Sequence, residues 1–308
     1  MEENSENEIK LLLGGVIPER EAEMRDYLNK YAPHFARCND RPGFVVEAGP
    51  FGLLNFTQRT MHQMWILGFA ANQALHSFSS TIFLSNGELD TTKLDRIPDQ
   101  ATKENKYLHL IDSVYRLADV NNTKDYLWPS DVPEPEGGKP KDVDGAVTFD
   151  LICMSGAYVF LHEMKHIAFR NDGNTPLNPH QEELECDQFA KQMMLGELEL
   201  YSKQSGYDLL ELTSKRIMSI SLAHFFMLVI TKKDLWTGSK THPSFKSRMT
   251  SMVSGLTVQD NDISWRYMSC LFLSHLRYLK IHPLIIKFNN LKELTIGLIS
   301  EIESASKS

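Results

Sequence analysis

The pattern His162-Glu163-x-x-His166 limits more strongly than any other feature what this chain can fold into. Residues 148–170 have apolar side chains at helical spacing and contain no proline, so the pattern lies in a predicted helix. Side chains four residues apart share one face of a helix, about 5–6 Å apart at Cβ, and two imidazoles there can bind one zinc ion. Glu163 is rotated away from that face, where it can accept a proton from a zinc-activated water.

A catalytic zinc site needs a third protein ligand, with the fourth position left to water. The Asn-Pro pair at residues 178–179 is typical of a helix start and predicts a second helix. Glu183 and Asp187 share one face of that helix, which suits a ligand followed by a carboxylate that holds a ligand imidazole through its other N–H. We therefore predict that His162, His166 and Glu183 bind zinc and that Asp187 supports them.

The spacing does not fix the register of this second helix. His180, Glu182 and Asp187 stay open as alternatives to Glu183 for the third ligand. Cys186 is a further possible ligand, although its position beside Asp187 favours a thiol in the core.

Composition narrows the class of protein. The net charge of −8 argues against a nucleic-acid partner, which would require a basic face. The first ten residues are polar and acidic, unlike a secretory leader. The longest apolar run, 217–230, is shorter than the roughly 20 residues that cross a bilayer. The four cysteines are scattered, which indicates thiols in a reducing compartment. We expect a cytoplasmic protein without a membrane partner.

The predicted fold is mainly α (α+β), a zincin-like metallopeptidase with a zinc helix, a second ligand helix and a small β element. Helices are predicted at residues 18–32, 56–77, 104–119, 147–170, 179–203, 206–231, 244–255, 259–279 and 290–304. Residues 43–48 and 52–56 flank a Gly-Pro turn and predict a hairpin. Such a hairpin could bind a substrate backbone by strand addition, or only cover the helices.

The chain divides into four predicted segments. They are a flexible N-terminus at 1–15, a mainly helical lobe at 16–127, a linker or lid at 128–147 and a zinc-binding catalytic lobe at 148–308. The two lobes could also form one continuous domain. The 128–147 segment is rich in proline, glycine and charge, which predicts poor ordering.

Further side chains are candidates for chemistry. His242 follows a turn-like sequence and could donate to the developing oxyanion, with Arg248 within two helical turns to brace it. A loop histidine on the surface is the alternative for His242. Tyr158 precedes His162 by one helical turn and could reach the cleft, although packing under the zinc helix is favoured. His224 is expected in the core.

A resemblance to a known family follows from these motifs. The run 160–166, the acidic block 183–187 and the later 241–244 with Arg248 together resemble the Lit phage-exclusion peptidase family. Mainly 148–195 and 241–248 are similar, and so is the segment 128–135. The acidic block and the Thr-His-Pro element are also similar to those of integral-membrane prenyl-protein endopeptidases, from which this chain departs in lacking a predicted span.

The resemblance implies a cytoplasmic bacterial zinc endopeptidase. The prototype of that family cleaves elongation factor Tu when a phage capsid peptide triggers it. The resemblance favours a catalytic role for His242 and implies a peptide or protein activator. Because free activity would be toxic, we expect low resting activity that rises when a partner orders segment 128–147.

Two function classes remain at this stage. The first is a zinc endopeptidase that cleaves an intracellular protein, with Glu163 as general base. The second is a binding or sensor protein on a zincin scaffold, in which zinc is structural or captures a peptide. Glu163 favours the enzyme, because a structural zinc site has no use for a general base.

Overall fold

The computed structural model describes residues 2–306, with side chains from residue 6. The fold is mainly helical, as predicted, with two small sheets where one small β element was expected. The helices are α1 (Glu2–Val16), α2 (Glu21–Tyr31), α3 (Gln58–Leu84), α4 (Thr91–Leu94), α5 (Gln100–Asp119), α6 (Val143–Asp172), α7 (Pro179–Leu195), α8 (Leu198–Ser205), α9 (Leu209–Ile230), α10 (Phe245–Val253), α11 (Ile263–Tyr278) and α12 (Leu291–Ala305). The strands are β1 (His34–Arg37), β2 (Val46–Ala48), β3 (Leu53–Phe56), β4 (Glu88–Asp90) and β5 (Ile285–Lys287).

Helix α6 is the central element, packed against α1, α3, α7 and α9. Its first turn is capped by the Asp142 carboxylate, which accepts a hydrogen bond from the Gly145 N–H at 2.7 Å. It ends at Gly173, whose φ of +65° is a left-handed conformation that glycine adopts without strain. Neighbours on several sides explain why the helix is apolar around much of its circumference.

Two helices are long and apolar enough, by length and composition alone, to cross a bilayer. They are α6 and α9, and 56% and 72% of their most apolar windows are buried within the protein. Buried core helices pass the same test, and both helices pack against several others here.

The predicted hairpin is present as part of a three-stranded sheet. β3 lies in the centre, with β2 antiparallel on one side and β1 parallel on the other. The hairpin tip contains Phe51 and Gly52, both at positive φ. β1 was not predicted. Because the strand order is β1-β3-β2, β2 forms an edge of the sheet, and it packs against α6.

The N-terminal segment differs from the flexible one that we predicted. Residues Glu2–Val16 form α1, and Leu13 is fully buried. α1 packs on β1 and α6, and its buried side chains include Ile9 and Leu13. The hydrophobic core is one cluster that contains side chains from both predicted lobes, among them Phe78 and Phe225.

The segment 128–147 is packed on α3. The indole N–H of Trp65 donates to the Pro133 carbonyl at 2.7 Å, and that of Trp128 donates to the Val132 carbonyl at 2.7 Å. Val132 is only 3% exposed. Tryptophan contacts thus order a sequence whose composition predicted disorder.

The long helix predicted at 179–203 is divided at Gly196 into α7 and α8. A Cβ there would lie 2.8 Å from the Gln192 carbonyl oxygen and from Nη1 of Arg20. The guanidinium of Arg20 also donates to the Gln192 carbonyl at 2.7 Å. A long-range contact therefore occupies the end of α7.

Close approach of α3 and α6 predicts a contrast between two helical glycines. A Cβ on Gly68 would overlap the buried side chain of Ile152, whereas one on Gly156 would lie 3.7 Å from Cε of Met64. Overpacking costs about 1–3 kcal/mol, and replacing a helical glycine by alanine stabilises by about 1 kcal/mol. We expect Gly68→Ala to lower the Tm and Gly156→Ala to maintain or raise it, measured by circular dichroism. Equal Tm values would contradict this packing.

Candidate metal centre

The two histidines of α6 point their Nε2 atoms at a common position. These atoms are 3.3 Å apart. The Nδ1 atom of His162 lies 2.9 Å from Oδ1 of Asp187, and that of His166 lies 2.7 Å from Oε1 of Glu182. A carboxylate at Nδ1 favours the tautomer with its proton on that atom, which leaves the Nε2 lone pair for a metal.

Helix α7 brings Glu183 to the same position. Its start is fixed by Asn178, whose side chain accepts from the His180 N–H at 2.9 Å. Oε2 of Glu183 lies 3.5 Å from Nε2 of His162, and Oε1 lies 3.4 Å from Nε2 of His166. For metal bonds of about 2.0–2.1 Å, tetrahedral ligand atoms are about 3.3 Å apart. The three side chains thus have the spacing of a zinc site.

The charges of this cluster also suit a cation. Burial alone would raise the pKa of Glu183, but hydrogen bonds to both imidazoles and the charge of Arg248 hold it below its usual range. Burial alone would lower the pKa of His162, but hydrogen bonds to Asp187 and Glu183 raise it to about 9. The surroundings therefore stabilise positive charge at the position where the Nε2 atoms converge.

Cys186 is the other candidate for a third ligand. Its Sγ lies with ligand atoms of His162 and His166 in a group that could hold a metal ion, all within 4.8 Å. Burial, and then the charges of Glu183 and its acidic neighbours, raise the pKa of this thiol. The carboxylate oxygens of Glu183 lie 3.4–3.5 Å from the two Nε2 atoms, which is the tetrahedral ligand spacing, so Glu183 is the better candidate.

A buried network supports the ligands from behind. Asp187 accepts from Nε of Arg248 at 2.7 Å and from Nη2 at 2.6 Å, while Nη1 of Arg248 lies 3.5 Å from Glu183. The hydroxyl of Tyr158 donates to Oδ1 of Asp187 at 3.2 Å. Arg248 thus braces Asp187 and Glu183, whereas we expected it to brace His242. Tyr158, on α6, is buried, lines the cleft and also reaches this network.

His242 lies at the rim of the same site. Its Nε2 is 3.7 Å from Oε1 of Glu183, and the side chain is 60% exposed. Its Nδ1 lies 2.8 Å from Oγ1 of Thr241. His180 instead places its Nε2 2.8 Å from the carbonyl oxygen of Ser239, so it holds the His242 loop.

Glu163 contacts the three-stranded sheet. Its Oε2 accepts a hydrogen bond from the N–H of Ala48, in edge strand β2, at 2.8 Å. Sequence reasoning missed this contact, because it joins residues 115 positions apart. The two strand-like runs around the Gly-Pro turn were the one signal that a strand edge lay near the site.

An apolar cleft opens beside these residues. Its volume is about 570 Å³, and its lining includes His162, Glu163, Glu183 and His242. The lining also includes Phe44, Val46, Val159, Phe226, Ile230 and Leu235. In the part of the chain that the structure describes, segment 128–147 contributes nothing to this lining, which corrects its prediction as a lid. The loop between α9 and α10 forms one wall of the cleft, with Trp236, Ser239 and His242 in the lining.

His224 lies in the core, as predicted. It is fully buried, and its Nδ1 is 3.0 Å from the Ile220 carbonyl oxygen. Burial lowers its pKa to about 4, so the ring is neutral. Its ring centroid is 5.3 Å from that of Tyr158.

Comparison with known proteins matches this chain to one family. Residues 54–268 match the family model described as Peptidase U49. The chain is also similar to the "Cell death peptidase" of Escherichia coli (strain K12), with 24% identity over 136 residues. The similar segment is 44% of this chain and 43% of that protein, so the chain matches less than half the length of this relative. No solved structure matches.

The ligand geometry predicts zinc content. We expect the purified wild type to contain one zinc per chain and His166→Ala to lose most of it, because two remaining ligands form an incomplete site. Metal content is measured by mass spectrometry of the protein after dialysis. His180→Ala is the matched control, since its ring contacts Ser239 instead of the ligands. Full zinc occupancy in His166→Ala would contradict the assignment.

The raised pKa of His162 predicts proton release on metal binding. An imidazole with a pKa of about 9 is protonated at neutral pH and must lose that proton to bind zinc. Zinc affinity of the chelator-treated protein should therefore increase as pH rises toward about 9. Calorimetry in buffers of different ionisation enthalpy counts the protons. Asp187→Asn should release fewer, and zero release from the wild type would contradict the charge assignment.

Proposed function

The protein belongs to the Peptidase U49 family, and we propose that it is a zinc-dependent endopeptidase. The observation that supports this most directly is the convergence of two Nε2 atoms and one carboxylate at 3.3–3.5 Å, beside a cleft that also exposes Glu163. The donor set of two imidazoles and one carboxylate is typical of catalytic zinc. A zincin-like arrangement of α6 and α7 is part of the proposal.

His162, His166 and Glu183 would hold the ion. When bound, zinc would polarise a water molecule and the carbonyl of the scissile peptide bond. Glu163 faces the cleft one residue after a ligand, so its carboxylate can take the proton of the attacking water and return it to the leaving amine.

His242 has a separate role in this proposal. Its Nδ1 is 2.8 Å from the Thr241 hydroxyl and its Nε2 faces the carboxylate of Glu183. If Thr241 donates to Nδ1, Nε2 bears the proton and can donate to the oxyanion that forms from the substrate carbonyl. The exposure of the ring leaves it accessible to substrate.

The cleft favours an extended peptide as substrate. β2 is an edge strand, and Val46 in that strand lines the cleft. A substrate segment can add to this edge by backbone hydrogen bonds. The apolar lining then favours a large apolar side chain next to the cleaved bond.

An intracellular protein is the proposed substrate, and elongation factor Tu is the first one to test because of the Lit resemblance. That resemblance also supports a role in phage exclusion, a cytoplasmic location and a peptide or protein activator. A relative named "Cell death peptidase" is consistent with a peptidase whose activity must be restrained.

The alternative, a binding protein with structural zinc, is supported less well. A structural site closes its fourth position with another protein ligand. The neighbouring cleft and the carboxylate of Glu163 suit a reacting substrate better than a closed site.

The proposal predicts that Glu163→Gln retains zinc and fold but loses hydrolysis. Removing a general base lowers kcat by about 10²–10⁴-fold. The wild type and Glu163→Gln would be expressed in a bacterial host, and new protein termini, including those of elongation factor Tu, compared by mass spectrometry. Matched zinc content and Tm are the controls. Identical termini in the two samples would contradict Glu163 as the base, and cleavage that persists after zinc removal would contradict a metallopeptidase.

A further inference from the structure

The two edges of β2 are distinguished by its pairing with β3. The Gly49 N–H donates to the Leu53 carbonyl at 2.6 Å, and the Thr57 N–H donates to the Val45 carbonyl at 3.3 Å. In an antiparallel pair, the backbone groups of successive residues point alternately toward and away from the partner strand. Val45, Glu47 and Gly49 therefore face β3. The backbone groups of Val46 and Ala48 therefore face the opposite edge, toward α6.

Helix α6 contacts both backbone groups of Ala48. The N–H donates to Oε2 of Glu163 at 2.8 Å, and the carbonyl accepts from Nη1 of Arg170 at 3.0 Å. The same Nη1 also donates to the Gly49 carbonyl at 2.8 Å. Glu163 and Arg170 are seven residues apart, which is about two helical turns and returns to one face. One edge residue is thus held at two points by the helix that presents the metal ligands.

The contact to Glu163 has a chemical consequence. A free glutamate side chain samples several rotamers. A backbone N–H that holds one carboxylate oxygen limits this freedom and leaves the other oxygen for a proton. The Ala48 N–H is itself held in place by the next residue. The Gly49 N–H pairs with β3, and the Gly49 carbonyl accepts from Arg170.

We propose that the Ala48 N–H and Arg170 are positioning groups that hold the Glu163 carboxylate at the metal cleft. The Ala48 N–H acts on the carboxylate directly. Arg170 acts through the backbone of Ala48 and Gly49. Neither group needs to contact substrate for this role.

A second consequence rests on the proposed peptidase function. Since Glu163 and Arg170 occupy the outward groups of Ala48, a substrate strand cannot pair there without displacing them. Val46 has the next backbone groups on the same edge, and it lines the cleft. The substrate strand therefore pairs at Val46 and leaves the sheet edge beside Glu163, which fixes where the peptide meets the catalytic carboxylate.

Amide hydrogen exchange tests the contact without any substrate. Edge amides that face outward exchange quickly unless a side chain holds them. We expect Ala48 to be protected in the wild type and in Glu163→Gln, whose amide oxygen still accepts. Loss of the acceptor in Glu163→Ala should speed exchange at Ala48 by about 10–100-fold. Equally fast exchange in all three proteins would overturn the proposal.

Proline substitution separates the two edges of β2. Ala48→Pro removes an outward N–H that binds Glu163 but takes no part in the pairing with β3, whereas Glu47→Pro removes an inward N–H. We expect the Tm to fall clearly in Glu47→Pro and little in Ala48→Pro. A fall in Ala48→Pro as large as in Glu47→Pro would overturn the assignment of Ala48 to the outward edge.

Kinetics then measure the positioning. Ala48→Pro and Arg170→Ala should lower kcat by about 10–100-fold at nearly constant KM and zinc content, because a misplaced base affects the chemical step. Arg96→Ala, at an exposed arginine after α4, is the control. Wild-type kcat in Ala48→Pro would overturn the proposal. Hydrogen exchange still decides the contact if the chain cleaves no substrate, so failure of the peptidase proposal remains distinguishable.

Discussion

The buried ion pair between Asp187 and Arg248 is the interaction on which the site depends. Asp187 is 3% exposed, and a buried carboxylate is stable only when it is paired and hydrogen-bonded. Arg248 supplies two hydrogen bonds from α10, and Tyr158 and His162 supply two more contacts from α6. This one carboxylate on α7 therefore joins three helices and orients the imidazole of His162.

The orientation of the imidazoles follows from charge as much as from packing. Burial would raise the pKa of Asp187, but the charge of Arg248 and the hydrogen bond from His162 hold it well below its usual range. The ionised carboxylate keeps its proton-bearing partner, Nδ1 of His162, in place. Glu182 does the same for His166 from the more exposed side of α7. The acidic start of α7 thus orients both candidate ligand imidazoles, although acidic first turns also occur simply because they stabilise helices.

Local patterns predicted the helices that bear the site, and long-range contacts account for what they missed. The apolar period of α6 and the Asn-Pro start of α7 are local, so both helices and the spacing of His162 and His166 could be read from sequence. α1 was missed because its acidic residues outweigh its apolar stripe, and β1 because a short strand is defined by its partner β3. Segment 128–147 is ordered by Trp65, which is remote in sequence. No local pattern reports such a contact.

Edge strand β2 joins α6 to the three-stranded sheet through backbone hydrogen bonds. Glu163 and Arg170 bind backbone groups of Ala48, and backbone groups are present whatever side chain occupies the position. Selection on this contact would act on the strand geometry and on the two α6 side chains, and leave the identity of residue 48 free apart from proline. A sheet edge already held by the helix of the metal site also cannot recruit strands along its whole length, which limits unspecific pairing. The same contact that orients the proposed catalytic carboxylate therefore restricts access to the cleft.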